Sequence, residues 1–274
     1  MPSESTLKQY AMRMAILKKD GIKPIENPQS LLSWLDTKAI GNSAQKVYLS
    51  AVKNSNPEAF PKALQDKLNE LYTAQNKQDM EQKLTEKQEK NFLKWEDLMA
   101  VQKTLAEKSK GALSWKQFLV VSLYTLNPPV RADYGEVEVH TRRSKTRTGN
   151  ELIWNTKPVF VFRKYKTAKT YGTVELPIEA PLVEVIRQWF EVLGGVPKYL
   201  LGETASNPNT FAVFVADTFR RYTGKDIGVS LLRHSFITHI YPSLRSRERK
   251  DAMARRMLHS TDRQELYISL ADMD

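Results

Sequence analysis

The sequence predicts a mainly helical chain of the α+β class, with a helical N-terminal domain and a second domain of helices around a small antiparallel sheet. Apolar residues recur at helical spacing through residues 3–80 and again from residue 95 onward, which predicts the helices. Four short runs rich in β-branched and aromatic residues lie between residues 136 and 178, which predicts the sheet. A polar, charged stretch separates the two patterns.

Four short helices are expected in the first domain. The first should stop near Gly21, the second should begin at Pro28, and the third should follow Gly41. The fourth is expected from Pro61 to Tyr72. A small helical domain of this kind is compatible with many purposes.

The polar stretch of residues 75–90 lacks glycine and is rich in charge, as in a solvated helix end or a linker. We place the domain boundary near residue 85. The predicted domains are therefore residues 1–85 and residues 86–274, and the pattern of the second domain begins at Trp95.

Helices flank the predicted sheet of the second domain. Ser114 is expected to cap an apolar helix that the Asn127-Pro128-Pro129 segment ends just before Arg131. Helices are also expected from Ala180 to Gly194 and from Thr210 to Tyr222. The predicted strands are residues 136–139, 151–154, 158–162 and 173–178, and the last two flank the polar turn RKYKTAKTYG as a hairpin.

Composition points to a polyanionic partner. The 274 residues carry a formal net charge of +11, so nucleic acid is the first candidate and an anionic membrane surface the second. No run of 18 apolar residues exists, which excludes a transmembrane helix, and the first residues lack a signal or transit pattern. The chain has no cysteine, which excludes disulfides and thiolate chemistry, and its four histidines are scattered.

The C-terminal third carries the pattern with the most functional content. Residues 231–240, LLRHSFITHI, have apolar side chains every four positions, which predicts a helix that Pro242 stops. Spacing in residues 253–258 predicts a second helix with His259 at or just past its end. Tyr267 then follows a polar turn and is expected on a short, movable piece of chain.

These residues resemble the catalytic region of tyrosine recombinases, the phage-integrase family. The family's strongest block is His-x-x-Arg followed by an apolar helix, commonly LRHSFATH, which LLRHSFITH matches with Arg233. MLHS matches the next block with His259, and Tyr267 stands where the nucleophile is expected, one residue nearer its histidine than usual. Ser230 takes the place of the histidine of His-x-x-Arg. The resemblance covers residues 91–274 by motif and the N-terminal part by size and helicity.

Two further residues follow from the resemblance. Arg131 lies just after a long apolar helix, where the family has its first catalytic arginine, although Pro129 and Val130 replace the usual Gly-x. A β-hairpin lysine is expected eight residues before the proline that closes the next strand. Counting back from Pro177 gives Lys169, with Lys166 as the reserve candidate. The plainer interpretations are an ion pair between Arg131 and Asp133 and lysines that contact phosphate or solvent.

The residue types suit metal-free phosphodiester chemistry. Arginine forks bind phosphate bidentately, so Arg131 and Arg233 could stabilise the charge of a pentacoordinate transition state. By resemblance, Tyr267 attacks the phosphate to give a 3′-phosphotyrosine link, Lys169 or Lys166 protonates the leaving oxygen, and His259 donates a hydrogen bond. Ser230 could replace the missing histidine as a donor but not as a base. No cofactor, metal or ATP is expected.

The expected partner is double-stranded DNA, bound on paired sites as a homotetramer, inside a prokaryotic host or in the nucleus or viral factory of a eukaryotic one. Virus, phage and mobile element are the expected sources. Basic residues around the predicted sheet are candidates for contacts to the DNA backbone: Arg142, Arg143, Lys145, Arg147 and Lys164.

Three alternative functions are also compatible with the sequence. A type IB topoisomerase uses the same set of residues and tolerates a non-histidine residue at the Ser230 position. A catalytically silent DNA-binding relative would keep the fold without the reaction. A metal-dependent nuclease could use Asp133, Glu136 and Glu138. We expect His234 and His239 to have structural roles.

Overall fold

The computed structural model describes residues 2, 4–80, 84–261 and 268, without the side chains of residues 5 and 78–80. It has the predicted α+β class, with many helices and one four-stranded sheet. The chain divides into two compact units, Met1–Glu81 and Gln82–Asp274. No helix among the described residues is long and apolar enough to span a membrane.

The first unit contains four helices in the order expected from the sequence. Asn27 caps the second helix by accepting a hydrogen bond from the Ser30 N–H at 3.2 Å, and Pro28 follows it at the first helical position. The fourth helix continues two turns beyond Tyr72, into the polar stretch. The helices are α1 (Glu4–Lys19), α2 (Pro28–Thr37), α3 (Asn42–Ser55) and α4 (Lys62–Met80).

The core of this unit forms where α1 packs on α3 and where α4 contacts α2 and α3. The buried side chains are mostly leucines on the inward stripes of the helices, so the predicted periodicity corresponds to burial. They are Leu17, Leu31, Leu35, Tyr48, Leu49, Val52, Leu64, Leu68 and Leu71.

The second unit is built around one helix that is buried on all sides. Every residue of the last nine in this helix, from Gln117 to Thr125, is buried, which is the pattern of a central helix rather than a surface one. Its neighbours include the helices that precede and follow the sheet. The helices of this unit are α5 (Glu86–Asn91), α6 (Trp95–Lys108), α7 (Ala112–Thr125), α8 (Ala168–Tyr171), α9 (Ala180–Val192), α10 (Pro208–Thr223), α11 (Val229–Ile240) and α12 (Arg247–Arg256), with short 3-10 helices at Ala132–Tyr134 and Tyr241–Ser243.

The sheet consists of β1 (Glu138–His140), β2 (Glu151–Ile153), β3 (Val159–Phe162) and β4 (Val174–Pro177), in that spatial order. The expectation of an antiparallel sheet holds for β2 with β3 and for β3 with β4. It is wrong for the first pair, because β1 runs parallel to β2. A ten-residue connection, residues 141–150, returns the chain to the same end of the sheet, which a tight hairpin turn does not do.

Two local expectations differ from the structure. Ser114 is not the N-cap of α7: the helix begins two residues earlier, and the Ser114 hydroxyl reaches back to accept a hydrogen bond from the Gly111 N–H at 3.1 Å. The polar turn between β3 and β4 contains a short helix, α8, which carries Lys169.

Candidate active site

Arg131 lies in a loop that two side chains hold in place. The Tyr124 hydroxyl, in the last turn of α7, donates to the Arg131 carbonyl at 2.9 Å. The Asn127 amide donates to the Pro177 carbonyl at 3.2 Å and accepts from the Glu179 N–H at 3.1 Å. The prolines of residues 128 and 129 end the helix, and these bonds tie the following loop to the end of β4, so the backbone at Arg131 is fixed.

Arg233 is the largest fully buried side chain, with 1% of its surface exposed. It projects from α11, and its Nη2 lies 3.5 Å from the Met257 carbonyl, just past the end of α12. Burying an arginine costs much free energy unless it is compensated, and a buried guanidinium is a group kept for a purpose more often than for stability. Arg233 therefore connects α11 to the turn that precedes His259.

His259 is placed by an unusual turn after α12. Leu258 has a positive φ of 56°, and the His259 N–H donates to the Ala254 carbonyl at 3.1 Å. The imidazole is 3% exposed. Burial, together with the nearby charges of Arg233 and Arg131, lowers the pKa of His259 to about 3. His259 is therefore neutral at physiological pH, and a neutral imidazole carries one ring N–H donor.

Asp133, which the sequence suggested as an ion-pair partner of Arg131, belongs to the same cluster. Burial raises the pKa of Asp133 to about 6, while Arg131 and Arg233 oppose the rise. Within the described part of the chain, Oδ2 of Asp133 and Nε of Arg131 are both buried without a hydrogen-bond partner. The two arginines, Asp133 and His259 thus share one electrostatic environment. A positively charged site with an unused donor on Arg131 suits an anionic ligand.

The lysine-bearing turn reaches this cluster through its backbone and one side chain. The Thr167 hydroxyl donates to the Leu258 carbonyl at 3.1 Å, next to His259. Lys166 precedes Thr167 and Lys169 follows it on α8, and both lysines are exposed. The structure thus brings the turn that holds both candidates to the His259 side of the cluster, and either lysine remains a prediction as the acid.

Two predicted residues stand apart from this arrangement. Ser230 lies in the first turn of α11, three residues before Arg233, and is exposed where Arg233 is buried. Tyr267 lies outside the described residues. Ile268, the next residue in the chain, is 2% exposed and belongs to the core of the second unit.

Three of the five candidate DNA contacts are engaged in ion pairs. Arg143 pairs with Glu175 at 2.9 Å, and Lys164 lies 3.7 Å from Glu136. Arg147 pairs at 2.6 Å with Glu151, whose carboxylate is buried.

Arg163 binds the other oxygen of Glu151 at 2.6 Å. A second bond from Arg147, to the Arg142 carbonyl at 2.9 Å, fixes the loop between β1 and β2. Arg142 and Lys145 are exposed, and no carboxylate of the described chain lies within salt-bridge distance of either. Arg147 therefore holds the β1–β2 loop, and Arg142 and Lys145 are left exposed on it.

The carboxylates considered for a metal point to different partners. Glu138 bonds to the His140 ring at 2.9 Å, Glu136 faces Lys164, and Asp133 lies near arginines. Among the described residues, no group of three histidines or acidic residues is placed to hold a metal ion. His239 contacts Glu96 at 3.1 Å and stacks on Trp95, which is a structural arrangement.

The chain matches no protein family model and no curated protein sequence. Among solved structures, the crystal structure of XerA recombinase is similar over 99% of this chain and 89% of that chain, with 13% sequence identity and a TM-score of 0.47.

Proposed function

We propose that this protein is a site-specific DNA recombinase or integrase that cleaves and rejoins DNA through a 3′-phosphotyrosine intermediate. The observation that carries the proposal is the convergence of Arg131, Arg233 and His259, which are 102 and 26 residues apart in sequence, on one buried cluster. The LLRHSFITH and MLHS motifs point to the same residues independently of the structure.

Each member has a role that its environment supports. Arg131 and Arg233 bind the non-bridging oxygens of the scissile phosphate and stabilise the negative charge of the pentacoordinate transition state. His259 donates one hydrogen bond to a phosphate oxygen from its neutral ring, for which no proton needs to be taken up from water. Ser230 lies at the start of α11 with an exposed side chain. It donates a hydrogen bond to the phosphate only after its side chain moves inward.

The chemical step conserves the phosphodiester energy. The Tyr267 hydroxyl loses its proton to water and its oxygen forms a bond to phosphorus, the bond from phosphorus to the 5′ oxygen breaks, and Lys169, or Lys166, gives a proton to that departing oxygen. Tyrosine has a pKa of about 10 in water, so the two arginines favour its ionised form. The reverse steps rejoin the strand without metal or ATP.

The partner in this proposal is double-stranded DNA, on which the protein assembles as a tetramer across paired sites. The first unit would bind DNA and the second would carry the reaction. The net charge of +11 and the exposed basic residues of the β1–β2 loop support binding to phosphates. The source expected for such a protein is a virus, phage or other mobile element.

The test is capture of a covalent adduct. The protein is incubated in EDTA with a library of suicide DNA duplexes, nicked so that the fragment released by cleavage diffuses away, and the products are run on a denaturing gel. We expect a protein–DNA adduct in the wild type and none in Tyr267→Phe, with Tyr72→Phe, an exposed tyrosine of α4, as the matched control. Tight DNA binding without an adduct would instead favour a silent DNA-binding protein.

If an adduct forms, a recombinase activity must still be distinguished from a topoisomerase activity. The exposed Ser230 in place of a histidine is the observation that favours a topoisomerase-like activity. A topoisomerase relaxes supercoiled plasmid as a monomer, whereas a recombinase exchanges strands between two copies of its site. Plasmids with one and with two copies of the mapped site separate the two activities.

A further inference from the structure

Asn150 joins the two halves of the candidate active site with a single side chain. Its Nδ2 donates to the Asp133 carbonyl at 3.3 Å and to the Lys164 carbonyl at 2.9 Å. Its Oδ1 accepts from the Arg163 N–H at 3.0 Å and from the Lys164 N–H at 2.8 Å. The carboxamide is 6% exposed, and these four bonds use its full capacity of two donors and two acceptor lone pairs.

The bonds of Asn150 run between backbone segments that are far apart in sequence. On one side is the short 3-10 helix that starts directly after Arg131. On the other is the start of the turn that carries Lys166 and Lys169. A buried amide with every bond satisfied holds its neighbours in one geometry, because breaking any bond leaves a buried polar group unpaired.

Thr167 fixes the middle of the same turn, between Lys166 and Lys169. Its hydroxyl donates to the Leu258 carbonyl at 3.1 Å, and Leu258 is the positive-φ residue directly before His259. The Tyr165 hydroxyl closes the turn around α8 by donating to the Gly172 carbonyl at 2.8 Å. The lysine side chains are exposed, yet the backbone on both sides of Lys166, and just before Lys169, is tied to the segments that hold the arginines and histidine.

We propose that Asn150 and Thr167 are positioning residues that aim the lysine of this turn at the leaving oxygen. The inference rests on the proposed function. Neither residue contacts DNA in this account. Each acts by setting the position of the lysine ammonium. The ammonium gives its proton to the 5′ oxygen as the bond from phosphorus to that oxygen breaks.

The test uses a leaving group that needs no proton. An alkyl thiol has a pKa of about 8.5, far below that of an alcohol, so a duplex with sulfur in place of the bridging 5′ oxygen is cleaved without help from a general acid. The duplex carries the cleavage position mapped with the adduct assay. Cleavage rates of oxygen and sulfur substrates are measured with the same protein sample, so that a loss of folded protein affects both rates equally.

We expect Asn150→Ala and Thr167→Val to slow cleavage of the oxygen substrate at least about tenfold more than cleavage of the sulfur substrate, and by no more than the factor of about 10² to 10⁴ that a general acid contributes in full. Lys169→Ala removes the proposed acid and so gives the full difference between the two cleavage rates. If Lys169→Ala slows both substrates equally, Lys166→Ala takes its place. Thr167→Ser keeps the hydroxyl and should recover part of the loss seen in Thr167→Val.

Asn155→Ala is the matched control, because Asn155 accepts one bond from the Lys157 N–H at 3.0 Å in the exposed β2–β3 turn. It should leave both rates near those of the wild type. Equal slowing of both substrates in Asn150→Ala and Thr167→Val would overturn the positioning role while leaving the proposed function intact. A wild type that forms no adduct on either substrate would overturn the proposed function, and this inference with it.

Discussion

At the residue scale, the charge state of His259 and Asp133 is set by what surrounds them. Burial and two arginines lower the pKa of His259 to about 3, and burial raises the pKa of Asp133 to about 6. Both shifts favour the uncharged form of the side chain. At neutral pH His259 is therefore uncharged, while Asp133 is largely ionised, so Arg131 and Arg233 together leave the cluster with a net positive charge where a phosphate would bind.

The shift at His259 predicts a pH dependence of stability. The folded pKa of about 3 lies below the ordinary value of 6.5, so as the pH falls the unfolded chain takes up the proton first. Stability is complete above the unfolded pKa and decreases from there toward pH 3. We expect the free energy of unfolding of the wild type, relative to His259→Gln, to decrease by about 2 kcal/mol between about pH 7.5 and about pH 5 in urea titrations.

Asp133 changes the free energy of unfolding with pH in the opposite direction to His259, so it serves as the control. Its folded pKa of about 6 lies above the ordinary value of 3.8, so its contribution is present at low pH and is lost as the pH rises through about 6. The difference between wild type and Asp133→Asn should therefore grow as the pH falls. Parallel pH profiles for the wild type and His259→Gln would show that His259 is not buried next to the arginines.

At the element scale, the segment that carries Arg131 is held by close packing as well as by hydrogen bonds. Gly135 ends the 3-10 helix after Arg131, and a Cβ there would lie 2.2 Å from the Ser206 carbonyl oxygen and 2.9 Å from Phe211 Cβ. Neither the Ser206 backbone nor the buried Phe211 side chain can move away at low cost. The loop after α9 and the start of α10 thus pack closely against the segment that follows Arg131.

Gly135→Ala should therefore be destabilising and should lower cleavage. Overpacking of this kind costs about 1 to 3 kcal/mol. The matched control is Gly149→Ala, since a Cβ at Gly149 would have no atom within 4 Å. Urea unfolding of both variants measures the difference, and equal stability of the two would contradict the close approach at Gly135.

The elements were largely predictable from the sequence because helical periodicity and its punctuation are local signals. Pro28, Pro181 and Gly224 lie at the helix ends that the pattern indicated, and Gly224 has the left-handed conformation of a helix end, with φ of 70°. The parallel pairing of β1 with β2 was missed, because strand direction depends on the path of the intervening loop.

The motif residues of the site were also predictable, since LLRHSFITH and MLHS are contiguous. Asn150 and Tyr124 were not. Both act by bonding to backbone carbonyls of segments that fold next to them, and an asparagine or tyrosine in the sequence carries no sign of such a bond. Tyr267 stays a prediction from the sequence, as it lies outside the described residues.

At the scale of the whole molecule, the excess of positive charge predicts salt-sensitive binding to DNA. Arg142 and Lys145 are exposed, whereas Arg147 holds its loop through the buried Glu151. Release of counterions from phosphates makes the logarithm of affinity fall linearly with the logarithm of salt concentration. Each cation that contacts a phosphate contributes to the slope.

Arg142→Ala and Lys145→Ala should each reduce the magnitude of that slope by about 1 without changing the free energy of unfolding. Arg147→Ala should instead lower the free energy of unfolding, because it leaves Glu151 with one of its two arginine partners. Fluorescence anisotropy over a range of salt concentrations measures the slopes. Unchanged slopes for Arg142→Ala and Lys145→Ala would place the DNA on another surface.

We propose that Tyr267 forms a covalent bond to a DNA 3′ phosphate without a metal. The most direct measurement is mass spectrometry of the adduct formed in EDTA, after the DNA is trimmed by nuclease and the protein is cut by trypsin. Cleavage after Arg263 gives a peptide of residues 264–274, QELYISLADMD, in which Tyr267 is the sole tyrosine. We expect a nucleotide linked through its 3′ phosphate on this peptide. A nucleotide on any other peptide, or a 5′ linkage, would contradict the account.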